Sequence, residues 1–168
     1  GGLGTDAAYQ RIQGNNPDGS RNPSYPVLLD VDNLIDYMIL HLFACSEDWP
    51  HHNWYAVRRR VDGAQYKFVS WDAERILEST SVNRTGVSDT NSPAYAYSRL
   101  RASAEFRLMF GDHAHRHLFN GGVLTPDAAA DRWMARSDEL DLAVICESAR
   151  WGDYRRDVHP SRNLSLIH

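Results

Sequence analysis

One change of hydrophobic period constrains this chain more than any other feature. Between Asp32 and Phe43 the apolar residues Leu34, Ile35, Met38, Ile39, Leu42 and Phe43 recur at steps of three and four, the spacing of one helix face. Asp30 or Asp32 can cap that helix, and Asp36 adds negative charge in its early turns. The pattern breaks at Trp49-Pro50, so the helix should end near Ser46. Beyond it, Asn53–Arg60 and Gln65–Asp72 are rich in Trp, Tyr, Val and Phe, with Val61-Asp62-Gly63-Ala64 between them. Asp-Gly between two such runs signals a β-hairpin.

The rest of the chain is read around that helix and hairpin. Residues 1–26 form a loop-rich opening segment, marked by Asn15-Asn16-Pro17-Asp18-Gly19, Asn22-Pro23 and Tyr25-Pro26. A short helix is expected around Asp6–Ile12. Residues 78–93 read as a long loop. From Pro93 onward helices are expected over Pro93–Ser103, Ala104–Asn120 and Pro126–Cys146, the last with a break near Ser137, followed by a tail helix to Trp151. Asn120-Gly121-Gly122 is a stop signal, and Thr125-Pro126-Asp127 is a start signal with Pro at the first helical position. Residues 152–168 are a polar tail. The expected fold class is α+β and mostly helical, with one small antiparallel hairpin, in a single domain of residues 1–168.

Composition excludes several classes. Apolar residues make up 42% of the 168, enough for one sizeable core. A net charge of −4 argues against a nucleic-acid binder. No apolar run reaches the roughly 18–20 residues that span a bilayer. Two cysteines, Cys45 and Cys146, are too few for a disulfide scaffold and read as small buried hydrophobes. There are seventeen arginines and one lysine, Lys67. The start Gly1-Gly2-Leu3-Gly4, without Met, leads us to expect a piece of a longer polypeptide.

The residues that could carry chemistry lie between helix and hairpin, in Glu47-Asp48-Trp49-Pro50-His51-His52-Asn53. Asp48 followed five positions later by Asn53 is the catalytic-loop spacing of protein kinases. There a carboxylate orients the attacking hydroxyl and takes its proton, while the amide oxygen helps to hold Mg²⁺. A second metal-binding carboxylate then arrives after the hairpin, here Asp72 in Ser70-Trp71-Asp72-Ala73-Glu74. With sixteen Asp and nine Asn in the chain, the spacing alone arises about once by chance, 16 × 9 / 168. The ordered context of helix, loop, strand, turn, strand and Asp is the more specific signal. The plain alternative is that Asp48 caps a turn, Asn53 starts a strand and Asp72 caps the next helix.

The run Leu28-Leu29-Asp30-Val31-Asp32-Asn33-Leu34-Ile35-Asp36-Tyr37-Met38 resembles the CotH (spore coat protein H) family of atypical bacterial kinases. So do Asn53-Trp54-Tyr55, Trp71-Asp72-Ala73-Glu74, Phe119-Asn120-Gly121-Gly122-Val123-Leu124-Thr125-Pro126 and Glu147-Ser148-Ala149-Arg150-Trp151-Gly152. The resemblance covers roughly residues 10–155. It implies a kinase-like C-lobe, transfer of the γ-phosphoryl group of ATP to a protein serine, Mg²⁺ or Mn²⁺ as cofactor, and a secreted or spore- or envelope-associated location. Position by position, Asp48 matches the catalytic Asp, Asp72 the metal-binding Asp, and Asn53 an additional metal ligand, with Glu74 near enough to support the metal. Ser46-Glu47 stand where kinases carry His-Arg, and Ala73 follows the metal Asp. No Gly-rich loop precedes the catalytic helix, and Lys67 follows the catalytic loop, so it cannot be the N-lobe lysine. Arg11 or Arg21 is a candidate substitute. The simplest account places the N-lobe upstream and leaves this chain inactive alone.

Two other functions stay open: a catalytically silent kinase-fold scaffold in a surface or envelope assembly, and a metal-dependent hydrolase using Asp48, Asp72, Glu74 and nearby histidines. Other features have plainer readings. His113 and His117 would share a helix face, as two zinc ligands do, but are expected to face solvent or lie at a helix end. His51 and His52 could meet a phosphate or an acidic substrate, or simply be solvated. Arg58-Arg59-Arg60, at the end of the first strand, is expected to blunt a sheet edge. Trp54, Tyr66 and Trp71 are expected to pack in the core, as are Trp133, Met134, Leu140, Val144 and Ile145 at helical spacing.

Overall fold

The computed structural model describes residues 2–151. The fold is α+β. Five helices, α1 (Asp6–Ile12), α2 (Val31–Phe43), α3 (Pro93–Leu100), α4 (Ala104–Leu118) and α5 (Pro126–Trp151), accompany two strands, β1 (Trp54–Val57) and β2 (Lys67–Ser70). The chain divides into two compact units, Gly1–Arg116 and His117–His168. Among the described residues no helix is long and apolar enough to cross a membrane.

The core of the first unit is built on α2. Leu34, Ile35 and Met38 are fully buried, as the 3,4 spacing requires, and so are Leu100 of α3 and Phe106 of α4. Each such side chain contributes roughly 1.5–3 kcal/mol by leaving water. Tyr9 of α1 meets Phe106 edge-on, with ring centroids 6.1 Å apart, and Gln10 donates to Glu105. Asp30 is the cap of α2: its carboxylate accepts from the Asn33 N–H at 2.9 Å.

The hairpin forms where the sequence places it, but shorter. Trp54 pairs with Ser70 and Val57 with Lys67 in an antiparallel ladder. The expected strands ran to Arg60 and began at Gln65. Instead residues 58–66 form a wide loop in which Ala64 N–H donates to the Val61 carbonyl at 3.3 Å. Only Gly63, at φ 73°, takes the left-handed conformation there, so the two-residue turn that Asp-Gly suggests does not form. Arg58-Arg59-Arg60 therefore lies in the loop and not on a strand end.

Asn33 ties the hairpin to α2. Its amide donates to the Phe68 carbonyl at 3.2 Å, and its carbonyl accepts from the Phe68 N–H at 2.6 Å. Leu29 adds a short parallel bridge beside Tyr66, and Lys67 reaches the Asp30 carboxylate at 3.0 Å.

Several expectations need correction. In the first unit α3 stops at Leu100, and a turn through Ser103 precedes α4. Tyr66 and Trp71 are exposed, not core, and Trp54 is half-buried against Phe68. Cys45 is half-buried and Cys146 exposed, and both are free thiols. In the second unit α5 runs unbroken through Ser137, with the expected Pro126 start. Its Trp133, Met134, Leu140, Val144 and Ile145 are all exposed, so helical spacing there did not mark a core. The expected tail of residues 152–168 lies outside the described residues.

Candidate functional site

The loop that carries Asp48 begins with a change of direction at the end of α2. Ser46 N–H donates to the His41 carbonyl at 3.2 Å and Cys45 N–H to the Leu42 carbonyl at 3.3 Å. Cys45 sits at φ 49°. This is the Schellman arrangement, with Cys in the left-handed position that glycine usually fills. The absence of glycine is why the sequence gives no stop signal there. The next residues are pinned by a later segment: Leu77 N–H donates to the Ala44 carbonyl at 2.8 Å, Glu47 N–H to the Arg75 carbonyl at 2.9 Å, and the Arg84 guanidinium to the Glu47 carbonyl at 3.1 Å. Arg75 also pairs with the Glu47 carboxylate at 3.0 Å.

Trp49 anchors the loop. It is 1% exposed, stacks on His41 with ring centroids 4.4 Å apart, and donates its indole N–H to the Tyr37 hydroxyl at 2.5 Å. His41 in turn meets the Ser70 hydroxyl at 2.8 Å, so helix, loop and β2 are joined through one aromatic stack. Burial pushes Tyr37 up to about 12 and His41 down to about 4, which keeps His41 neutral at physiological pH. The Trp49-Pro50 peptide is cis.

Around this anchor Pro50 and Asn53 are buried with Trp49, Asp48 is half-buried, and His51 and His52 are exposed. Asn53 is buried and donates its amide to the Asp72 carbonyl at 3.3 Å, closing the open end of the hairpin. Asp72 takes φ 50°, one of the few non-glycine residues here in the left-handed region, a conformation that Asp tolerates better than most. Asp48 is half-buried and meets His52 Nε2 at 3.0 Å. His51 and His52 lie edge to face, with ring centroids 4.0 Å apart. One ligand atom from each of Asp48, His51 and His52 falls within 4.8 Å of the others.

The three residues singled out from the sequence thus share one loop and hairpin end, though not in one contact set. Asn53 touches Asp72 through the latter's backbone, and the Asp72 and Glu74 carboxylates are exposed and join neither of the metal-competent clusters found among the described residues. The candidate substitutes for the N-lobe lysine are engaged elsewhere: Arg11 over the Tyr25 ring at 3.8 Å, and Arg21 on the carbonyls of Gly14 and Asn22. Arg58, Arg59, Arg60, Val61, Asp62 and Tyr66 line a separate groove of about 440 Å³ at the hairpin tip.

His113 corrects another expectation. It is buried, not solvent-facing, with Nδ1 2.6 Å from Asp36 and Nε2 3.2 Å from Asp32. Asp32 and Asp36 stand one turn apart on α2, a spacing visible in the sequence. Their partner on α4, 77 positions beyond Asp36, carries no local signal.

No protein-family model, no curated protein and no solved structure matches this chain.

Proposed function

We propose that this chain supplies the C-terminal lobe of a CotH-like atypical protein kinase, which moves the γ-phosphoryl group of ATP to a protein serine with Mg²⁺ or Mn²⁺. The observation that carries the reading is the contact of the Asn53 amide with the Asp72 carbonyl at 3.3 Å, at the hairpin end that follows the Asp48 loop. In this reading Asp48 orients the serine hydroxyl and accepts its proton. The Asn53 amide oxygen and the Asp72 carboxylate hold the metal against the ATP phosphates. Phosphoryl transfer depends mostly on positioning and charge stabilisation, and the aromatic anchor at Trp49 supplies positioning. A secreted, spore-coat or envelope location accompanies the family resemblance.

A silent scaffold with the same fold is the second reading. It is favoured by the exposed Asp72 and Glu74 carboxylates and by the engagement of Arg11 with Tyr25 and of Arg21 with backbone carbonyls. Calorimetric titration of ATP with Mg²⁺ or Mn²⁺ into the chain separates the two. The kinase reading expects binding that is lost on Asp72→Asn. Binding that is indifferent to Asp72→Asn favours the scaffold; where the chain alone binds no nucleotide, the same titration on the full-length protein decides between the two.

A further inference from the structure

We infer that Asp48, His51 and His52 form a binding site for a first-row divalent transition metal, of which Zn²⁺ is the type. Two imidazoles and one carboxylate are the donor set that such ions take, whereas Mg²⁺ and Ca²⁺ select oxygen. The spacing agrees. Around an ion with Zn–N and Zn–O distances near 2.1 Å, tetrahedral ligand atoms lie about 3.4 Å apart. Asp48 Oδ1 and His52 Nε2 are 3.0 Å apart, and the ligand atoms of all three residues lie within 4.8 Å of one another.

The loop is built to hold these side chains. Trp49 and Asn53 are buried, at 1% and 7% exposure, while His51 and His52 between them are exposed. Five successive residues therefore place three donors on the wet side of a fixed backbone, and a site on a held backbone pays less to organise. Three protein ligands leave one or more coordination positions for water or another small ligand, as in open zinc sites. Neither Asp72 nor Glu74 belongs to the cluster. The inference does not rest on the phosphotransfer reading, because it uses different side chains except Asp48 and a different class of metal.

The test titrates Co²⁺ into the metal-free full chain, follows its visible d–d absorption, and then competes with Zn²⁺. The expected result is one site filled by Co²⁺ and taken over by Zn²⁺, but not displaced by millimolar Mg²⁺. His51→Ala, His52→Ala and Asp48→Asn should each weaken it by more than the about 10–100-fold typical of changes outside the ligand shell. His51 and His52 are exposed, so their variants should fold, as circular dichroism would verify. Metal affinity unchanged in His51→Ala or His52→Ala overturns the inference, as does the absence of binding to the wild-type chain. Asp72→Asn should leave the cobalt titration unchanged while removing Mg-ATP binding if the kinase reading holds, so the two proposals can fail separately.

Discussion

Two imidazole–carboxylate clusters in the first unit use the same chemistry to different ends. In one, His113 is buried between Asp32 and Asp36, and each ring nitrogen faces a carboxylate. It fastens α4 to α2. In the other, Asp48, His51 and His52 lie on a single loop, and both rings are exposed. The first cluster needs the tertiary fold in order to exist, whereas the second needs only a short, well-anchored backbone. The same residue types are gathered from two helices in one case and from a single loop in the other.

The largest expected effect removes the anchor beneath the exposed cluster. Trp49→Ala should cost about 3–5 kcal/mol in urea unfolding, because the ring is stacked, hydrogen-bonded and buried; a cost below about 1 kcal/mol would show that the loop is held by other means. Next comes a fourth imidazole, His41, whose partner is a hydroxyl. Its folded value of about 4 lies below its ordinary 6.5, so between those values the unfolded chain binds more protons. Stability should therefore be fully present above about pH 6.5 and fall as the pH drops toward 4, by on the order of 3 kcal/mol. His41→Gln should flatten that part of the pH profile, and an unchanged slope would place the titration elsewhere. His113→Ala should cost about 2–3 kcal/mol through the lost packing of a buried ring, without altering cobalt binding. The smallest effect is expected at the loop: His51→Ala and His52→Ala should change stability by no more than about 0.5 kcal/mol. A larger loss at either would make the loop cluster a fastener too.

The sequence carried the helix and hairpin well because both are local. The bounds of α1 and the start of α5 are set by caps and breakers, Thr5 and Pro126, that act within one turn. The sequence offers both Asp30 and Asp32 as caps of α2, and Asp30 is the one whose carboxylate takes the Asn33 N–H. What the sequence does not announce is the other side of β2, where Tyr66 and Phe68 turn their backbone groups to the Leu28–Asp30 segment and Asn33, distant in the chain. The apolar residues of α5 misled because spacing reports a face and not what covers it. Of the candidate site, Asp48, Asn53 and Asp72 were correctly referred to one loop and hairpin end. That Asn53 meets a backbone carbonyl rather than a carboxylate depends on the left-handed turn at Asp72, which no residue type there announces.

Lys67 is the only lysine in 168 residues, and it lies in β2 with its ammonium on the cap carboxylate of α2. A protease that cuts only after lysine therefore meets a single target bond, and it cannot thread that bond while the ladder is closed. The rate at which the chain splits into two pieces becomes a clock for the opening of the hairpin. Amine-directed labels, apart from the chain's amino terminus, would report on the same spot. One unrepeated side chain thus gives the molecule a built-in gauge of how often its helix and hairpin part.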